Sequence, residues 1–192
     1  MEDIRLCDTR MIVKQIETPK HAVDVEELAQ QHHAEFGKAR QFAKSAVGEA
    51  CWNCVLDKRR TQVNCWVAYD DHDHPVGYIA GTIHRSFYSY SKYAVQEMWY
   101  VVPGARRSST ATKLLRAYEQ WAVEHKCERI YTQVEHDDEP ELVERILRLM
   151  QYFGYNKQGY IAVKRPVYTH EEHDNDRSTH RGVGAEQEPA QV

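Results

Sequence analysis

No stretch of this chain approaches the roughly 18 consecutive apolar residues that a membrane-spanning helix needs, so no transmembrane segment is expected. The opening Met1-Glu2-Asp3-Ile4-Arg5 lacks the apolar run of a signal peptide, and a cytoplasmic location is the expectation. Glycine and proline are few, at 9 and 6 of 192 residues, which is not a collagen-like composition. An excess of one charge is also lacking over most of the chain. The tail after Pro166 holds six acids against Arg177 and Arg181, which accounts for the whole formal net charge of −4. The balanced remainder gives no electrostatic reason to expect nucleic acid or a membrane surface as partner. With 42% apolar residues, the chain is long enough to bury a sizeable core and is not wholly disordered.

Cysteine is sparse and odd in number: Cys7, Cys51, Cys54, Cys65 and Cys127. Reduced thiols are expected in a chain of this size without an export signal. Cys51-Trp52-Asn53-Cys54 has a spacing used by zinc and redox sites, and Cys65, His72 and His74 are further ligand types. No second CxxC or HxxxH completes a ligand set, and both cysteines fall on the apolar side of a helical pattern. Structural thiols and no metal are therefore expected; a small metal or redox protein is the weakest of the readings considered.

What is present is a clear alternation of periodicities. Arg10–Ile16 reads as a strand. Thr18-Pro19 reads as a helix start, a capping hydroxyl followed by proline at the first helical position. Val25, Leu28, Ala29, His32 and Phe36 then recur at helical spacing up to Gly37, and a second helix is predicted from Gln41 to Asp57. Gln62–Asp70 and Val76–His84 are β-rich and flank the turn Asp71-His72-Asp73-His74-Pro75, which predicts a hairpin. A third strand is expected from Tyr93 to Val102, after the aromatic, serine-rich loop Arg85–Lys92. That loop, with Phe87, Tyr88 and Tyr90, suits either an acceptor pocket, a partner contact or local packing. An amphipathic helix follows from Ser108 to His125, then a strand at Arg129–Val134. A last helix begins at Asp137–Pro140, with Asp138 and Glu141 spaced as a capping box, and stops at Gly154. Short strands near Tyr155 and at Tyr160–Lys164 complete the list. The order β-αα-βββ-α-β-α-ββ predicts an α/β fold of the α+β mixed-sheet kind, with helices on both faces. Residues 1–166 are expected to form one domain, and residues 167–192 a disordered acidic, His-containing tail.

The stretch most suggestive of chemistry is Val95-Gln96-Glu97-Met98-Trp99-Tyr100-Val101-Val102-Pro103-Gly104-Ala105-Arg106-Arg107-Ser108-Ser109-Thr110-Ala111. A strand leads through a short turn into a helix whose first turn is all small residues. Such a start exposes N–H groups and the positive end of the helix dipole, which suits a pyrophosphate. Arg106 and Arg107 add charge at its mouth. Glu97 is a carboxylate in an otherwise apolar strand, and strict alternation groups it with Val95, Trp99 and Val101. His84, at a strand end, is an alternative base.

The run Arg106-Arg107-Ser108-Ser109-Thr110-Ala111 resembles the acetyl-CoA signature Arg/Gln-x-x-Gly-x-Gly/Ala of the GNAT superfamily of N-acyltransferases, with Ser109 where glycine is usual. Phe153-Gly154-Tyr155 resembles the family's ending of the fourth helix, and the element order agrees from about Arg10 to Arg165. The resemblance implies a splayed mixed sheet, in which pantetheine pairs with the backbone of Trp99, Tyr100 and Val101. It places the pyrophosphate on the N–H groups from Arg106 through Arg107, Ser108, Ser109 and Thr110 to Ala111. It also implies acetyl-CoA as cosubstrate and direct attack by a primary amine of unknown size, with Glu97 as general base. A homodimer is compatible with it. Met150 stands where many members carry a proton-donating tyrosine, so the alternative of an inactive binding or structural module is kept.

Overall fold

The computed structural model describes residues 11–36, 43–56, 62–134 and 140–157. The elements in chain order are β1 (Ile12–Gln15), α1 (Pro19–Phe36), α2 (Lys44–Leu56), β2 (Val63–Tyr69), β3 (Pro75–Arg85), β4 (Lys92–Val101), α3 (Thr110–Glu124), β5 (Cys127–Tyr131) and α4 (Pro140–Tyr152). The chain divides into two compact units, Met1–Leu149 and Met150–Val192. Tyr160–Lys164, the capping residue Asp138 and the tail lie outside the described residues.

The start of α1 follows the residues that predict it. Thr18 Oγ1 accepts the His21 N–H at 3.3 Å, with Pro19 in the first turn, where no N–H is needed. Valine, tyrosine and isoleucine crowd β2 and β3, and Asp70 shapes the turn between them. Its Oδ1 accepts the N–H groups of His72 and His74, both at 2.9 Å.

The five strands form one sheet in the order β1-β2-β3-β4-β5. The first four are antiparallel and β5 runs parallel to β4. This is the mixed sheet expected. One face carries Cys65, Val67, Tyr69, Tyr78, Ala80 and Tyr100, which build the main core with Val25, Leu28 and Ala29 of α1 and Cys51 and Cys54 of α2. The other face meets α3, where Trp66 packs edge-on against Tyr118 and Trp121. Gly81 makes that approach possible: a Cβ there would collide with the Tyr118 ring. Helices thus cover both faces.

Two boundaries differ from expectation. The strand predicted at Arg129–Val134 starts earlier and ends at Tyr131, because its pairing with β4 runs only from Lys92↔Cys127 to Val95↔Tyr131. Among the described residues no strand forms at Tyr155, where residues 155–157 are irregular. There the chain closes α4: Gly154 adopts φ +85° and the Tyr155 N–H returns to Met150 O at 3.0 Å.

Candidate active site

β4 continues six residues beyond Val95, to Val101, and no strand among the described residues pairs with it on the side where β5 left it. The two strands therefore part, as a splayed sheet requires. At the parting, the buried Gln96 accepts the Gln133 N–H on its Oε1 at 3.3 Å and bridges the gap. Beyond it no strand among the described residues pairs with the outer edge of β4 over Trp99 to Val101, where Val101 O accepts from the Arg106 side chain. Val102 N–H bonds Val76 O, so alternation turns the backbone groups of Val101 and Trp99 away from β3. The Trp99 indole Nε1 is buried and has no acceptor among the described residues.

The pairing of β3 with β4 slips between Ala80 and Gly81, so Glu97 is an extra residue between Gln96 and Met98. This β-bulge breaks the alternation on which sequence reasoning grouped Glu97 with Trp99 and Val101. Val95 stays on its face, opposite Thr82. Trp99 and Val101 turn to the α3 face, where Val101 lies beside Leu114 across Gly77. Glu97 instead accepts the Thr82 hydroxyl on Oε1 at 2.6 Å, and Thr82 Oγ1 is 2.8 Å from His84 Nε2. The Glu97 side chain is 45% exposed, so its charge is solvated rather than buried among apolar neighbours.

Pro103–Ala105 form a 3₁₀ turn and α3 opens at Thr110, two residues later than predicted. Ser108 is the reason. Its Oγ accepts the Thr110 N–H at 3.2 Å and donates to Ala105 O at 2.7 Å, holding residues 108 and 109 in the turn. The N–H groups of Arg106 and Ser108 close back on Pro103 O and Ala105 O. Those of Arg107, Ser109, Ala111 and Thr112 have no hydrogen-bond partner among the described residues, and no bulky side chain stands over Gly104. That is a concentrated set of donors at a helix N-terminus. Arg107 is exposed beside them.

Arg106 is not at this mouth, contrary to expectation. Its guanidinium turns back, Nε donating to Val101 O at 2.9 Å and NH2 to both carboxylate oxygens of Glu35 at 2.6 Å. Tyr100 donates to the same carboxylate at 3.1 Å, and burial followed by Glu35 raises its pKa, which keeps the phenol protonated. His32 of α1 stacks on Tyr100 with ring centroids 4.9 Å apart. The guanidinium is drawn away because a bidentate carboxylate is a stronger partner than solvent.

Residues 25–154 match the Acetyltransferase (GNAT) family. The chain belongs to that family. No curated protein matches the sequence significantly. Among solved structures, an aminoglycoside N-acetyltransferase AAC(6')-Iy in complex with CoA is 16% identical, with a TM-score of 0.65 over 82% of this chain and 95% of that one. A ribosomal-protein-alanine N-acetyltransferase from Brucella melitensis is 12% identical, with a TM-score of 0.61 over 82% and 99%. A putative acetyl transferase from Pyrococcus furiosus is 19% identical, with a TM-score of 0.58 over 81% and 100%. At these identities the likeness concerns the fold.

Within this GNAT domain, sequence reasoning missed Glu35, Gln96 and Thr82. Glu35 is 71 residues from Arg106, and no local pattern links them. Thr82 meets Glu97 through the register of β3 with β4, which no turn residue announces. The aromatic loop is fully open: Phe87, Tyr88 and Tyr90 are each at least 95% exposed. Local packing therefore does not account for it. Cys51, Cys54 and Cys65 lie in the core; burial pushes Cys51 up to about 12 and raises Cys65 as well, so these two stay thiols at neutral pH. No group of three His, Cys, Asp or Glu suited to a metal occurs among the described residues.

Proposed function

We propose that this GNAT-family acetyltransferase transfers the acetyl group of acetyl-CoA to a primary amine. The observation that carries the reading is one continuous feature. The open β4 edge at Trp99, Tyr100 and Val101 runs directly into the unpartnered N–H groups of Arg107, Ser109 and Ala111. An extended ligand ending in a pyrophosphate fits both parts. It adds to the strand edge as a further strand does, and its anion meets the helix N-terminus. The Ser108 and Thr110 side chains hold the turn in shape. Arg106 acts from outside the cradle by anchoring Val101 to Glu35. The fit is supported by what these residues leave unsatisfied.

The bound thioester would supply an acyl carbon open to direct attack. An amine arrives as an ammonium and must first lose a proton. Glu97, lifted from the sheet by its bulge and open to water, is the general base in this reading. Met150 has no proton to give, so the leaving thiolate takes its proton from elsewhere. Cytoplasmic acceptors of small size, aminoglycosides among them, form the first screen, since several fold neighbours are named for such substrates.

Calorimetric titration with acetyl-CoA tests the cradle. Saturable micromolar binding, abolished in Ala111→Trp at unchanged melting temperature, is expected. Absence of binding at millimolar ligand would overturn it. Binding with no turnover on any amine would leave the inactive module as the better account, a reading that Met150 favours.

A further inference from the structure

Glu97, Thr82 and His84 form a chain of side chains whose hydrogens can be counted. A threonine hydroxyl has one proton, and an ionised carboxylate can only accept. At 2.6 Å from Glu97 Oε1, the Thr82 proton is committed to that oxygen. Thr82 Oγ1 is then an acceptor toward His84 Nε2, 2.8 Å away. Nε2 must therefore carry a hydrogen, whether the imidazole is neutral or charged. The His84 ring is held in place by stacking on Tyr93, with centroids 5.5 Å apart and planes 22° apart. Arg85 and Lys92, the next cross-strand pair, carry the nearest fixed charges along the hairpin. Glu97 Oε2 has no partner among the described residues.

The three residues come together for a structural reason. Thr82 and His84 are two apart on β3 and so share a face. Val95 pairs with Thr82 and lies on that face, and Glu97, two residues further along β4, shares it. The bulge turns Trp99 and Val101 to the α3 side and leaves Glu97 with Thr82 and His84.

We propose that Thr82 and His84 are positioning residues for Glu97. His84 Nε2–H holds the Thr82 hydroxyl, and Thr82 holds Glu97 Oε1, so that Oε2 is the oxygen that receives the proton of the incoming ammonium. This inference rests on the acetyltransferase reading above. The ammonium N–H bond breaks to Oε2 and frees the lone pair, which bonds to the acyl carbon. The C–S bond then breaks, and the second proton lost by nitrogen neutralises the thiolate. His84 touches none of these atoms; it acts through Thr82, with its Nε2 3.9 Å from Glu97 Oε1.

The test has two arms. The first compares Thr82→Val, Thr82→Ser and His84→Phe in steady-state turnover. Thr82→Val should lower kcat by roughly tenfold or more, a fraction of what a positioned base contributes, with KM for acetyl-CoA unchanged. Thr82→Ser should restore most of it, and His84→Phe, which keeps the ring stack, should show a smaller loss. The second arm needs no turnover. Nitrogen-15 NMR should report the Nε2–H form of His84 in the wild type and lose it in Thr82→Val. A wild type that turns over while Thr82→Val matches it in kcat overturns the proposal alone. His84 protonated only on Nδ1 overturns it as well. A folded wild type that acetylates no amine removes the underlying reading too, and the NMR arm then shows separately whether the hydrogen-bonded chain exists.

Discussion

Glu97 is where a single residue matters most. The residues on either side of it pair with β3, while Glu97 itself is left over and projects into solvent. Glu97→Gln keeps the shape and the hydrogen bond from Thr82 but removes the basic oxygen. It should lower kcat by about 10²-fold or more, the usual contribution of a positioned base, with acetyl-CoA binding unchanged by calorimetry. Equal kcat in the two proteins would remove Glu97 as base. The cysteines give a second prediction at this scale. Burial raises Cys51 to about 12 and raises Cys65 too; it also raises Cys127, which is only partly buried and so the most accessible of the three. Alkylation of the native protein at pH 8, followed by peptide mass spectrometry, should label Cys127 well before Cys51 or Cys65. Labelling of Cys51 at the rate of Cys127 would mean that α2 opens readily.

Between elements, the contact of α3 with the sheet depends on a missing side chain. Gly77 and Gly81 sit under Leu114 and Tyr118, and a methyl group at either has no room. Gly81→Ala should cost about 1–3 kcal/mol through overpacking, read as a lower melting temperature, with acetyl-CoA affinity weakened as α3 is displaced. An unchanged melting temperature would show that Tyr118 swings aside freely. The same helix is tied to the end of β5 by the Tyr118 hydroxyl, which donates to Tyr131 O at 3.2 Å. One residue thus sets both the distance of α3 from β3 and the point where β5 ends beside β4.

Across the first unit, Glu35 and Arg106 link α1 to the turn that precedes α3. The pair is only partly buried, so its direct worth is about 1 kcal/mol or less. Its effect on the site should be larger than its effect on stability, because Arg106 also holds Val101 O. Glu35→Gln should weaken acetyl-CoA binding several-fold while moving the melting temperature by no more than a few degrees. Equal affinity in the variant would show that the cradle keeps its form without α1. His32 and Phe36 flank the same contact, so the C-terminal half of α1 serves both as core and as support for the edge of β4.

Much of this molecule is legible in its sequence, and the legible parts share a property. The α1 start at Thr18-Pro19, the amphipathic face of α3 and the stop at Gly154 depend on residues within a few positions of one another. Helix and strand periods are local, and so are caps, so sequence alone determined the order of elements, the mixed sheet and the small-residue opening of α3. The tertiary structure decided the rest. Where β4 slips by one residue, every later side chain changes face, which separates Glu97 from Trp99 and leaves it on the face of Thr82 and His84. Arg106 was drawn from the cradle to Glu35 because the stronger partner lay in another element. Register and partner choice are settled by contacts between residues far apart in the chain, and no local pattern records them.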